Sequence, residues 1–171
     1  MKALLSLLIS SSLCIADCTA LTVSTPTSSQ PMETIDFEPI PLSAPGLNQR
    51  YIAELTLWII RDESDWQAFW RQQQRLLSEP PPLPDIDFTA QMLLVLTLGS
   101  RPTGGYGLEI DRIELLETTQ PTWRIYYLER VPGKTCLVTQ QTTTPTAFVS
   151  VPLSNAEIEL TGQILVNNCE H

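Results

Sequence analysis

Histidine is almost missing from this chain: the single one, His171, occupies the last position. A chain end is a poor platform for a general base or a metal ligand, so Ser-His-Asp and Cys-His schemes have no base to work with. Of the four cysteines two remain once the leader is set aside, and two cysteines with a terminal histidine do not make a four-ligand zinc site. Lysine is scarce too. After the first residues Lys134 stands alone, and no glycine-rich phosphate loop carries it. Basic residues number 10 against 19 acidic ones, a formal net charge of −9. That balance excludes the clustered basic surface that nucleic acid requires and argues against docking to anionic lipid. Acidity of this kind favours solubility and self-repulsion and names no partner. Asp85 and Asp87 flank Ile86 without the dense oxygen spacing of a calcium loop, and no carboxylate pair of the glycosidase kind stands out. The expectation is a chain without catalytic residues, metal or cofactor.

Long apolar runs are lacking as well. The run "ALLSLLISSSLCIA" behind Met1-Lys2 is too short to span a bilayer comfortably and has the shape of an export signal. "CTA" at 18–20 places small residues for cleavage after Ala20, giving a signal peptide over 1–20. A second reading makes Cys18 a lipidation site, with Ile15 and Ala16 ahead of it and Asp17 where a small residue is usual. Both readings export the mature chain to the periplasm, the cell envelope or the exterior. A membrane is reached only through lipid on Cys18. Two cysteines then remain in an oxidising compartment, Cys136 and Cys169, as candidates for one disulfide or as two free thiols. A bridge closing a loop of about 30 residues contributes on the order of 3 kcal/mol in the chain-entropy model.

What is present reads as one mainly β domain. Residues 21–47 are rich in Ser, Thr and Pro without sustained periodicity, which reads as a tether. Its apolar pieces "IDF" and "IPL" leave open that part of it lies on the domain, expected over 48–171. "YIAELTLWII" alternates as a strand covered on both faces. "RDESDWQAFWRQQQRLL" is the one good helix, with Ser64 and Gln67 spaced as a capping box and Trp66, Phe69, Trp70 and Leu77 on one face. "SEPPPLPD" is a stiff extended connector. "QMLLVLTLG" is a nearly continuous apolar strand, central in its sheet. In "YGLEIDRIELLE" the apolar parity slips by one, which predicts a bulge around Asp111-Arg112. "TWRIYYLERV", "TCLVTQQT", "AFVSVP" and "EIELTGQILV" complete about seven strands. The expected fold is α+β: an antiparallel, sandwich-like arrangement with one packed helix.

The connection "GSRPTGGYG" is longer than a hairpin needs. Gly104 and Gly105 permit positive φ, Pro102 stiffens the entry, and Arg101 and Tyr106 are the residue types that anchor interfaces. Arg101, Thr103, Gly104, Gly105 and Tyr106 are therefore the candidate binding residues. The competing reading has the glycines shaping a turn and Tyr106 folded over the sheet.

The stretch "DFTAQMLLVLTLGSRPTGGYGLEI", with Asp87-Phe88, the apolar strand, Gly99 and Gly104-Gly105-Tyr106, resembles the PrcB C-terminal domain family. The likeness extends back to the "DWQAFW" helix and forward through "TTPTAFVSVP", where Thr146 stands in place of the Tyr that the family tends to show. The resemblance implies a bacterial exported domain, often membrane-tethered, whose namesake is a non-catalytic subunit that binds and stabilises a secreted protease. The leading expectation is thus a protein-binding accessory module. Two others compete with it: an exported protease inhibitor presenting residues 99–107, and a small-ligand or glycan-binding envelope domain. The last requires some of Trp58, Trp66, Trp70 and Trp123 to be exposed.

Overall fold

The computed structural model of the chain describes residues 33–41, 52, 54–75, 78–79 and 81–169. The expected leader, with Cys14 and Cys18, lies outside the described residues, as does most of the Ser/Thr/Pro-rich stretch. Seven strands and one helix follow in the order β1 (Glu38–Pro39), β2 (Thr56–Ile60), α1 (Glu63–Gln74), β3 (Gln91–Thr97), β4 (Gly107–Leu116), β5 (Thr122–Pro132), β6 (Thr146–Pro152) and β7 (Glu157–Asn167). They form a four-stranded sheet, ordered β1-β6-β3-β2, and a three-stranded sheet, ordered β4-β5-β7. The mainly β architecture with one helix is as the alternation predicts.

β3 explains the layering. Its residues from Met92 to Thr97 are all buried, because both faces of the strand are covered. Met92, Leu94 and Leu96 point at Ile110, Ile113, Trp123 and Ile125 of the facing sheet, while Leu93 and Val95 point at the helix layer. A strand buried on both sides has no polar face to alternate with, hence the continuous apolar run. The helix layer is aromatic. Trp66 stacks on Phe69 and tilts against Trp70, and Phe69 meets Trp58 and Phe148 edge-on. Each buried indole N–H needs an acceptor. The proline connector supplies both: Trp66 Nε1 donates to the Pro84 carbonyl at 3.0 Å and Trp70 Nε1 to that of Pro81 at 3.2 Å.

Four local features differ from the sequence reading or sharpen it. The helix is capped by Asp62, whose carboxylate accepts from the Asp65 N–H at 2.9 Å and from the Ser64 hydroxyl at 2.7 Å, so Ser64 serves the cap without being it. The register shift between Ile110 and Arg112 is the bulge that the parity slip predicts. The segment read as the strand "TCLVTQQT" carries no strand and forms a long loop instead. Its place in the count is taken by β1, inside the stretch read as a tether. There Glu38 and Pro39 pair with β6, and Glu33 to Ile35 run beside β4: Ile35 N–H donates to the Ile113 carbonyl and Leu115 N–H to that of Glu33. The pieces "IDF" and "IPL" are what seats this arm, since Ile35 and Phe37 pack on the inter-sheet core and Ile40 on the helix layer.

Strand direction also departs from a wholly antiparallel reading. β4 and β5 are antiparallel, but β5 and β7 are parallel along their whole length, from Thr122↔Glu157 to Pro132↔Asn167. Parallel neighbours need a crossover. Here the chain leaves β5 through residues 133–145, crosses to the other sheet as β6, and returns as β7.

Candidate functional site

Thr97 sets the start of the long loop. Its buried hydroxyl donates to the Pro145 carbonyl at 3.0 Å and accepts from the Gly99 N–H at 3.2 Å and the Thr146 hydroxyl at 3.1 Å. Thr146, at the position where the resembled family tends to carry a tyrosine, thus closes a hydroxyl relay beneath the loop. Gly99 turns the chain with φ of 76°, a conformation that side chains disfavour.

From there the loop is sewn to the segment after β5. Arg101 and Thr143 exchange both backbone bonds, at 2.8 and 2.9 Å, and the Thr143 hydroxyl donates to the Thr103 carbonyl at 2.8 Å. Gly104 N–H donates to the Thr139 carbonyl at 2.9 Å. Of the two adjacent glycines only Gly105 has positive φ, at 84°. Gly104 is needed for a different reason: a Cβ there would run into the Thr139 hydroxyl. A Cβ on Gly105 would also press on Val138 and Pro132. The glycines let two loops lie in direct backbone contact.

Arg101 is tied into the fold by a partner that the sequence reading did not name. Its Nε and Nη2 both donate to Glu129 Oε1, at 3.2 and 2.9 Å, and its Nη1 donates to the Leu98 carbonyl at 2.8 Å. The side chain is 24% exposed and its carboxylate partner 16%. Most of its donors are used inside the molecule, and the bonds help position the loop. Its guanidinium carbon lies 5.9 Å from the centre of the Tyr106 ring, at the outer limit of a cation–π contact. Tyr106 itself is half-buried, neither stripped from the surface nor covered by it. Thr103 is half-buried, Gly104 is buried, and Pro102 and Gly105 are exposed. The exposed residues of the loop are thus Ser100, Pro102 and Gly105, with Tyr106 half-buried beside them. Nearby, the Tyr127 phenol is pushed up from its ordinary value by burial first and by the Glu129 carboxylate second, with Arg101 opposing.

Sequence reasoning missed Glu129, Val138, Thr139 and Thr143. Glu129 sits in an alternating strand where an acid reads as an outward residue. The segment holding the other three has too little periodicity to reveal a docked loop. Cys136 and Cys169 are joined in a disulfide, so the bridged reading of the two thiols is the one that applies. It clips the turn after β5 to the residues after β7, beside the bond from Gly133 N–H to the Asn167 carbonyl. Asp87 accepts from the hydroxyl and N–H of Thr89 in the turn before β3, and Phe88 packs in the helix layer. The Asp-Phe pair is thus a turn with an anchor. Trp66, Trp70 and Trp123 are buried, so of the four tryptophans only the half-buried Trp58 reaches the surface that a glycan-binding reading needs.

Residues 92–152 match the model of the family described as PrcB C-terminal. The matched stretch covers less than half of the chain and contains β3, the long loop, β4, β5, the docked segment and β6. The helix and Asp87-Phe88 lie outside it. No curated protein and no solved structure matches the chain.

Proposed function

We propose that this chain is an exported, non-catalytic protein-binding module, an accessory or stabilising subunit of a secreted protease or of another envelope assembly. The reading draws on the match of residues 92–152 to the family described as PrcB C-terminal, whose namesake is a protease-complex subunit. The observation that carries the reading is the double latch on residues 99–106. Two backbone bonds between Arg101 and Thr143, one from Gly104 to Thr139, and the Arg101–Glu129 ion pair hold Tyr106 on a frame that loses little freedom on binding. A rigid aromatic beside an exposed proline is a low-entropy contact surface. On this reading residues 1–20 act as an export signal, so that the module meets such a protease outside the cytoplasm, either soluble or held by lipid on Cys18.

The test is affinity capture from the envelope fraction with the full chain and with Tyr106→Ala. An extracytoplasmic protease retained by the first and lost by the second, at equal melting temperatures, supports the reading. Retention by both, or no envelope protein in the captured set, contradicts it. A rigid loop also suits a protease inhibitor, and an assay against a panel of papain-type enzymes separates the two: the accessory module leaves their rates unchanged.

A further inference from the structure

β7 is the edge of its sheet, and its second half is unusual for an edge. Ile164, Leu165 and Val166 are 66%, 43% and 54% exposed. From Thr161 to Asn168 there is no ionisable side chain and no proline, and the pairing with β5 runs through without a bulge. Edges usually carry one of these devices, because unpaired backbone groups template another strand. The hydrogen-bond phase says which groups are open. Glu157 N–H donates to the Pro121 carbonyl, and the Asn167 carbonyl accepts from Gly133 N–H. Odd-numbered residues of β7 therefore turn their backbone groups towards β5. Gly162, Ile164 and Val166 turn theirs to the open side. Among the described residues nothing pairs with them.

We propose that a second copy of this chain occupies that edge, with the two β7 strands antiparallel about a twofold axis at Leu165. The sequence is self-complementary there. Gln163-Ile164-Leu165-Val166-Asn167 reads amide, β-branched, Leu, β-branched, amide in both directions. Antiparallel pairing about Leu165 sets Ile164 opposite Val166, both with backbone groups facing outward, so each such pair exchanges two hydrogen bonds. Leu165 meets its own copy in a close pair without backbone bonds, and Gln163 meets Asn167. The interface is isologous, as a twofold dimer requires. Charge selects the direction. Each chain carries −9, and a parallel pairing would set Glu157 and Glu159 against their copies. The antiparallel register puts both carboxylates beyond the uncharged segment. The result is a six-stranded sheet in which Ile164 and Val166 of both copies form one apolar cluster.

So short a seam buries less than a standard interface, so the dimer forms with a dissociation constant between about 10 μM and about 1 mM. It strengthens as salt screens the net charge. Sedimentation velocity on the full chain, up to about 1 mM, tests this. Ile164→Pro removes only an N–H that faces the open edge, so it keeps every bond to β5. It should raise the dissociation constant more than about tenfold with the melt unchanged. Leu165→Lys, which sets like charges across the axis, does the same and decides the matter if the proline variant does not fold. Tyr106→Ala leaves the dimer intact, so this inference stands or falls apart from the loop's role. A wild-type chain that stays monomeric at about 1 mM, including through one of its own segments covering the edge, overturns it. So does a dimer that survives in the folded variants.

Discussion

Arg101 shows how far a residue's type constrains its role. Arginine in a glycine-rich loop reads as an interface anchor, but Glu129 lies 28 residues away in sequence and takes two of its donors. No local pattern encodes that partner. Arg101→Ala should destabilise the fold by about 1–2 kcal/mol, less than a buried pair would cost, because water screens a side chain about a quarter exposed. Arg101→Lys should restore only part of it, since an ammonium cannot reproduce the fork. Urea denaturation of both variants, with a double-mutant cycle on Glu129, checks this. Asp62 makes the second residue-scale point. Its carboxyl is held below the ordinary aspartate value by the Asp65 N–H first and the Ser64 hydroxyl second. A carboxyl whose folded value is depressed stabilises above its unfolded value, near 4, and loses that contribution as pH falls through the folded one. The melting temperature of Asp62→Ala should lie below that of the wild type at pH 7, and the gap should close as pH drops below about 4.

At the scale of elements, local periodicity was enough for the helix, for β3 and for the bulge at Asp111, because each is written in the spacing of neighbouring side chains. Direction and docking are not. The alternation of β7 is the same whether it runs parallel or antiparallel to β5, and only the crossover through β6 decides. "TCLVTQQT" has two adjacent apolar residues, Leu137 and Val138, which resemble a strand. Leu137 is 90% exposed, while Val138 serves the loop beside it. A two-residue strand such as β1 is too short for any period to announce. The clip that holds the ends of β5 and β7 is the disulfide between residues 33 apart. Its loss through Cys136→Ser with Cys169→Ser should cost roughly 3–4 kcal/mol. In hydrogen exchange the loss should appear first at Gly133 and at the last residues of β7. Protection that falls evenly across both sheets would count against a local clip.

At the scale of the molecule, the long loop and the segment that docks on it lie between strands of both sheets and tie them together. Residues 99–106 leave β3 of one sheet to enter β4 of the other, and residues 133–145 lead from β5 back to β6. The sandwich therefore fixes the loop from both sides: its backbone is structure, and Tyr106 stands half-buried upon it. The candidate residues read from sequence divide accordingly: Arg101, Thr103 and Gly104 build the frame, and Gly105 and Tyr106 sit on its surface. The most direct test is the dissociation constant for the protease captured by the wild-type chain, measured by calorimetry against Tyr106→Ala. A rise of at least about thirtyfold, with melting temperatures within about a degree of each other, is the expected result. An unchanged constant, or a loss of binding that only tracks a loss of folding, would contradict the account.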